Sequence, residues 1–131
     1  MNIGLSVAVR NARLTAIVTA AGASAILTTY NGTLPATVGT ATTVLSAHAC
    51  ASVLGTVAND VLTFNAIGNA TASATGTATW ARLTTSGGTF IADFDVSTTA
   101  AGTGVLQMAT TSIVTNATVQ ISLGQFTEGN A

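Results

Sequence analysis

The apolar residues near the N-terminus recur at intervals of three and four, which is the spacing of one helical face. They are Val7, Leu14, Ile17, Val18 and Ala21, with Arg10 on the same side. Ser6 can accept hydrogen bonds from the first free amides, and Gly22 can adopt the left-handed conformation that ends a helix. The pattern predicts a helix over about residues 6–21. A helix of this length is marginal in water, so its apolar side must pack on a sheet or a neighbouring subunit.

After Gly22 the spacing becomes alternating and β-branched residues become frequent, which predicts strands at 25–30, 42–51, 60–67, 71–83, 89–96, 105–109 and 118–126. Small residues on both sides of 42–51 predict that this strand is covered on each face. The clearest alternation runs from Thr71 to Thr79, where hydroxyl residues alternate with Ala and Gly. Ser86-Gly87-Gly88 is typical of a hairpin turn into the next strand. The last run places Val119, Ile121 and Leu123 on one face.

Short strands at regular spacing after one helix indicate a mainly β fold. We predict an antiparallel β-sandwich, jelly-roll-like, with one short N-terminal α-helix. Residues 1–131 are interpreted as a single β-sandwich domain, since no linker or repeat divides them. The apolar residues are mostly Ala and Val, so the core is expected to be thin.

The chain carries little charge: three Arg, no Lys and four acidic residues, for a net charge of −1. Ordinary domains have about 25% charged residues. The clustered Lys and Arg of nucleic-acid binders are missing, which argues against a nucleic-acid partner. A monomer with so few charges tends to self-associate, so we expect partner subunits to cover much of its surface.

The sequence favours no membrane, metal or cofactor site. No run approaches the roughly 20 strongly apolar residues of a membrane span. Residues 10–25 do not fit a signal peptide, because Thr15 and Thr19 dilute the apolar part. His48 and Cys50 are too small a set for zinc. We interpret His48 as a hydrogen-bonded structural group and Cys50 as a small buried apolar residue.

Other polar and aromatic residues offer weak candidates for chemistry. Asp93 and Asp95 share a strand face and could bind a cation or act as an acid/base pair, but we interpret them as a solvated face. The aromatic residues could stack on a sugar, but the core has first claim on them; they include Tyr30, Phe64, Trp80 and Phe90. No catalytic residue is assigned, and the chain is not expected to be an enzyme.

Several segments resemble small structural proteins encoded among the head genes of tailed bacteriophages and prophages. These are residues 9–27, 30–36, 71–80, 86–96, 111–113 and 126–131. Some similar proteins are capsid cement or decoration proteins with jelly-roll-like sandwiches that sit as trimers on the shell. The resemblance implies a virion protein of the phage head surface, made in the bacterial cytoplasm, with no catalytic residues. The chain departs from the pattern in being poor in Lys and Asp, which favours uncharged contacts.

Two functions remain in competition. The first is a cement or decoration protein that binds between subunits of the major capsid protein and stabilises the assembled head. The second is a tail or fibre component that binds a host glycan. For the first, we expect a homo-oligomer, most simply a trimer, attached through its N-terminal segment. The candidate interface residues are Arg10, Arg13, Leu14, Ile17 and Val18.

Overall fold

The computed structural model describes residues 3–36 and 39–128. The ends of the predicted 1–131 domain, and residues 129–131 of the last segment of the phage resemblance, lie outside this part. The described residues form helix α1, Val7–Ala21, and these strands: β1 Ile26–Tyr30, β2 Val44–Ala49, β3 Gly55–Ala58, β4 Val61–Phe64, β5 Ala70–Thr71, β6 Gly76–Thr77, β7 Trp80–Thr84, β8 Phe90–Thr98, β9 Leu106–Met108, β10 Ser112–Ile113, β11 Thr118–Val119 and β12 Leu123–Thr127.

Helix α1 begins and ends at the predicted signals. Ser6 is extended and its Oγ accepts a hydrogen bond from the amide of Val9 at 3.3 Å. Gly22 has a φ of 65°, and its amide donates to the carbonyl of Val18. The helix packs on β3, β4 and β8, with Leu14 and Ala21 buried. The predicted helix is therefore confirmed.

Eight strands form one curled sheet in the order β2-β1-β7-β8-β9-β12-β4-β3. The mainly β class with one helix is confirmed, but a wholly antiparallel sheet is wrong, because β8 and β9 run parallel. After Thr98 the chain turns back and enters β9 beside Val96. Gly104 permits this return, since a Cβ there would lie 2.6 Å from the amide of Ser97. The jelly-roll arrangement stays a prediction.

The inside of the curl is filled by leucines and phenylalanines. Phe94 on β8 meets Phe64 on β4 edge to face, with ring centroids 5.8 Å apart, and also contacts Phe126 on β12. Leu62, Leu83 and Leu106 are fully buried around them. These contacts between distant strands hold the sheet in its curled shape.

The β3–β4 hairpin was not predicted from the sequence. Its loop, Asn59-Asp60, has both residues at positive φ, as a tight type I′ turn requires. The prediction of a strand over 60–67 captured β4 but placed Asp60 in the strand. Asn-Gly would have signalled this turn more strongly than Asn-Asp does.

The predicted long strand over 71–83 is wrong, because the chain there forms three separate strands, β5, β6 and β7. Residues 68–79, here called the strap, form only the short strands β5 and β6, which pair with β11 and β10. The amide of Ser73 donates to Leu45 O of β2, and that of Thr79 to Tyr30 O of β1. The alternation itself holds, since Ala72 and Ala78 are buried while the hydroxyl residues face outward. Alternation fixes the inward face of a strand but not its neighbour.

Two smaller predictions on burial need correction. Ala47 and Ala49 on β2 are exposed, whereas Leu45, Ser46 and His48 of the same strand are buried, so β2 is not covered along both faces. Leu123 is also exposed, unlike Val119 and Ile121. The chain leaves β11 at Val119 and starts β12 at Leu123, so its inward positions change phase. The predicted hairpin through Gly87-Gly88 is confirmed as β7–β8.

Replacing Gly124 by Ala is expected to destabilise the fold by about 1–3 kcal/mol, because the added Cβ overpacks the core. It would lie 2.8 Å from Cδ2 and 2.9 Å from Cγ of the Phe64 ring. Urea unfolding measures the change. Gly4→Ala, where a Cβ meets nothing within 4 Å, is the matched control. Equal stability of the two variants would contradict this account of the Phe64 packing.

Candidate functional site

An ion pair and a capped turn join α1 to the β3–β4 hairpin. Arg10 Nη2 lies 2.7 Å from Asp60 Oδ2, and both side chains are more than four-fifths buried. Asn11 Oδ1 accepts a hydrogen bond from the Asp60 amide at 2.9 Å. The helix therefore fixes both the charge and the backbone of the Asn59-Asp60 turn.

Arg13 makes a second link on the next part of the helix. Its Nη1 lies 2.8 Å from Glu128 Oε1. The Arg13 side chain is 55% exposed, but Glu128 is largely covered, and the Glu128 amide donates to Asp60 O. Arg10 and Arg13, which were expected at an interface, thus bind carboxylates of their own chain.

The other predicted interface residues also face inward. Leu14 has no exposed surface and belongs to the core. Ile17 and Val18 are partly buried and pack against that core. The expectation that Leu14 contacts a partner is wrong, because the inner stripe of α1 is covered by the sheet of the same chain.

A third ion pair lies on β7 and β8. Arg82 and Asp93 are register partners and meet through two hydrogen bonds, of 2.7 Å and 2.9 Å. Arg82 Cζ also lies 5.3 Å and 5.2 Å from the ring centroids of Trp80 and Phe90. The hydrogen bonds that Arg82 donates to the Asp93 carboxylate raise the pKa of Arg82. The interpretation of Asp93 as a solvated side chain is therefore wrong.

Asp95 completes the inventory of charge. Its Oδ1 accepts a hydrogen bond from the amide of Val105 at 2.9 Å, which fixes the chain as it enters β9. All seven charged side chains are consequently engaged within the chain: Arg10, Arg13, Arg82, Asp60, Asp93, Asp95 and Glu128. Of the seven, Arg13 and Asp95 remain exposed.

The aromatic residues form no open platform. Tyr30 and Trp80 stack with centroids 4.4 Å apart, and both are buried. Trp80 Nε1 donates to Asn31 O and lies 3.1 Å from Thr42 Oγ1. Phe64 is in the core and Phe90 is half-buried over Arg82. The prediction that these rings are buried is confirmed for Tyr30, Phe64 and Trp80 but not for Phe90. The exposed groove needed for glycan stacking is missing at Tyr30 and Trp80.

His48 is the centre of a buried hydrogen-bond chain. Its Nδ1 lies 2.8 Å from Gly68 O, and its Nε2 lies 2.8 Å from Ser46 Oγ. Ser46 Oγ lies 2.6 Å from Thr29 Oγ1. Burial lowers the pKa of His48, although the bond to Gly68 opposes this. The interpretation of His48 as a hydrogen-bonded structural group is confirmed, and the Ser46–His48 pair is sealed from solvent.

Cys50 follows on the same strand face as His48. Burial raises the pKa of the Cys50 thiol to about 11, so the unreactive thiol form dominates at neutral pH. Within residues 3–36 and 39–128, no group of three or more His, Cys, Asp or Glu could hold a metal ion. In the same residues, no helix has the length and apolar character that crossing a bilayer requires.

Much of the surface of the described residues is uncharged. Large apolar side chains are exposed at scattered points, including Ile3, Val7, Val9, Leu34, Val44, Val53, Val114 and Leu123. Three of these, Ile3, Val7 and Val9, lie within seven residues in and just before the first turn of α1. Two open cavities, of about 300 Å³ and 240 Å³, meet at Gln120 and are lined only by uncharged residues. The strongest candidate for a functional site in the described residues is therefore this uncharged surface.

None of the protein-family models, curated proteins or solved structures with which we compared the chain matches it.

Arg10→Ala is expected to lower the free energy of unfolding by about 1–3 kcal/mol, because it leaves a buried carboxylate without its partner. Arg13→Ala is the matched control on the same helix and should change stability by less than about 1 kcal/mol, since Arg13 is mostly exposed. Chemical denaturation of both variants checks this. A larger effect from Arg13→Ala would show that the Glu128 pair, not the Asp60 pair, fixes the helix.

Proposed function

We propose that the chain is a structural subunit of a tailed-phage virion, a cement or decoration protein on the head surface that is made in the bacterial cytoplasm. The phage-like segments of the sequence support this proposal, and the fold agrees with its mainly β class. The role needs no chemistry, and the proposal includes that the chain is not an enzyme.

The single observation that carries the proposal is that all seven charged side chains are engaged within the chain, six in ion pairs and Asp95 with a backbone amide. Charged side chains normally keep protein surfaces soluble and apart. Here they are engaged within the chain, although Arg13 and Asp95 remain exposed, and the rest of the outside consists mainly of hydroxyl, amide, glycine and small apolar groups. Such a surface suits permanent burial against neighbouring subunits, where unpaired charges would be costly to desolvate.

The proposed mechanism is mass action on the assembled head. A protein that binds only the assembled shell stabilises that state in proportion to its occupancy. Binding between copies of the major capsid protein would link them at many equivalent positions. A homo-oligomer, most simply a trimer, would multiply the weak contacts of each chain through effective concentration.

The start of α1 is the proposed attachment segment. Val7 and Val9 are each 46% exposed, and Ile3 is 53% exposed, although the inner stripe of the same helix is buried. Unlike the originally expected Arg10 and Leu14, these side chains are available to a partner. Burying each of them on a capsid subunit would contribute on the order of 1 kcal/mol.

The proposal is tested with particles from cells that carry the gene. Mass spectrometry of purified heads should find the chain at a copy number comparable with that of the major capsid protein. Purified protein should also co-sediment with heads that lack it. A few copies confined to tails would favour the glycan-binding fibre component instead, and presence in cells but not in particles would overturn the virion role.

Val9→Glu is expected to reduce incorporation into heads by about tenfold or more, because it removes apolar burial and places a charge in the contact. Thr19→Glu adds the same charge at another exposed position of α1 and is the matched control. Quantitative gel analysis of sedimented heads gives the occupancy of each variant. Equal occupancy of the two would place attachment elsewhere on the molecule.

Attachment should also be nearly insensitive to salt. Raising ionic strength from about 0.05 M to 0.5 M shortens the range of charge interactions severalfold, but uncharged contacts are little affected. We expect the apparent Kd for heads to change by less than about threefold over this range. Dissociation in high salt would show that charge pairing dominates the contact.

A further inference from the structure

We propose that His48 is a proton-sensitive latch, which holds the strap against the outer edge of β2 when neutral and releases it when protonated. The inference is independent of the proposed virion role. It rests on the position of the buried His48 ring between β2 and the strap, which are otherwise joined by few hydrogen bonds.

The strap is fastened to β2 at two points. At one end, His48 Nδ1 bonds to Gly68 O and the Gly68 amide donates to Ala49 O at 2.9 Å. At the other end, the Ser73 amide donates to Leu45 O, and Ser73 Oγ lies 3.3 Å from the same oxygen. Between them, β5 turns away to pair with β11. The carbonyl and the amide of Gly68 are therefore both hydrogen-bonded to consecutive residues of β2, His48 and Ala49.

The hydrogen-bond chain defines the resting state of the latch. A carbonyl oxygen can only accept, so Nδ1 of His48 carries the proton that binds Gly68 O. In the neutral ring, Nε2 then accepts from the Ser46 hydroxyl, and the Thr29 hydroxyl can donate to Ser46 Oγ. Every polar side-chain atom of Thr29, Ser46 and His48 has a hydrogen-bond partner, and neither Ser46 nor His48 has appreciable exposure.

A second proton on the ring reverses this chain of donors. Nε2 would donate to Ser46 Oγ, and Ser46 would have to donate to Thr29. The Thr29 hydroxyl would then be left with Ser46 O, at 3.5 Å, which is a poor hydrogen-bond distance. The Ser46 and Thr29 hydroxyls can rotate to exchange donor and acceptor roles, but they cannot neutralise the positive charge of the protonated ring.

No carboxylate is placed to compensate the imidazolium. On its own strand face the ring is followed by Cys50, a neutral thiol. The partners of His48 are Leu27 across β1 and Gly68 on the strap, and Ser46 links it to Thr29. The acidic side chains are engaged elsewhere, in contacts with Arg10, Arg13, Arg82 and the Val105 amide. Lifting the strap is the direct way to hydrate the charged ring.

The direction of the pH effect follows from linkage. Burial lowers the pKa of His48 from its ordinary 6.5, so the closed form binds fewer protons than the open form. Closure is therefore strongest above about pH 6.5 and weakens as the pH falls toward the lowered pKa. Opening exposes the outer backbone of β2, a sheet edge that can pair with another strand.

Amide hydrogen exchange of the intact protein tests the latch. At about pH 5, protection of the Gly68 and Ser73 amides, corrected for intrinsic exchange, should fall by at least about tenfold relative to pH 7.5. The Gln125 amide, bonded to Val105 O far from His48, is the internal reference and should keep its protection. Unchanged protection of Gly68 in the wild type would overturn the proposal.

His48→Asn is the matched variant, because its side-chain amide can still donate toward Gly68 O but does not titrate. Its strap should stay closed at both pH values, whereas the same acid-induced opening as in the wild type would refute the role of His48. If the variant does not fold, the NMR titration of the wild-type imidazole decides. Its midpoint must coincide with strap opening, and a protonated ring beneath a still-protected Gly68 would contradict the latch.

Discussion

The remaining structure depends on two ion pairs that join α1 to the sheet. Arg10 reaches the β3–β4 turn and Arg13 reaches the segment after β12, so one helix fixes two distant parts of the chain. The same contacts draw four of the seven charges into the fold. With Arg82 and Asp93 also paired, the core can remain small because its rim is held by directional bonds.

Hydroxyl groups take over much of the linking role that charged side chains perform in other domains. Ser73 binds main-chain oxygen on β2, Thr79 binds Gly32 O, and Thr75 meets Thr115 at 3.0 Å. These bonds connect the strap to three separate segments. A Thr-rich and Ala-rich chain thereby gains specific packing without long side chains, whose ordering would cost more conformational entropy.

Local signals made part of this structure predictable from the sequence. Ser6 and Gly22 act within a few residues of the helix ends, and Gly87-Gly88 acts within one turn, so the helix and the β7–β8 hairpin were predicted correctly. The burial of Tyr30 and Trp80 could be predicted because the chain has few aromatic residues to fill its interior.

Contacts between distant segments explain the failures. Nothing near Arg10 in sequence identifies Asp60 as its partner, and nothing in Thr71 to Thr79 says that the strap pairs with β10 and β11. The parallel entry of β9 beside β8 depends on Gly104, whose close approach appears only in three dimensions. Leu14 was assigned to an interface from its place on the helical stripe, but the sequence does not show that the sheet of the same chain covers it.

The left-handed Asn59-Asp60 turn has a consequence for how the chain reaches this structure. The turn closes β3 on β4 locally, but Asp60 acquires its cation and the cap on its amide only when α1 arrives. The hairpin and the helix therefore stabilise each other, and neither can complete its bonds first. During synthesis α1 leaves the ribosome well before residue 60 does. The helix therefore cannot dock until the β3–β4 hairpin has also been synthesised, so the order of synthesis sets the order of assembly.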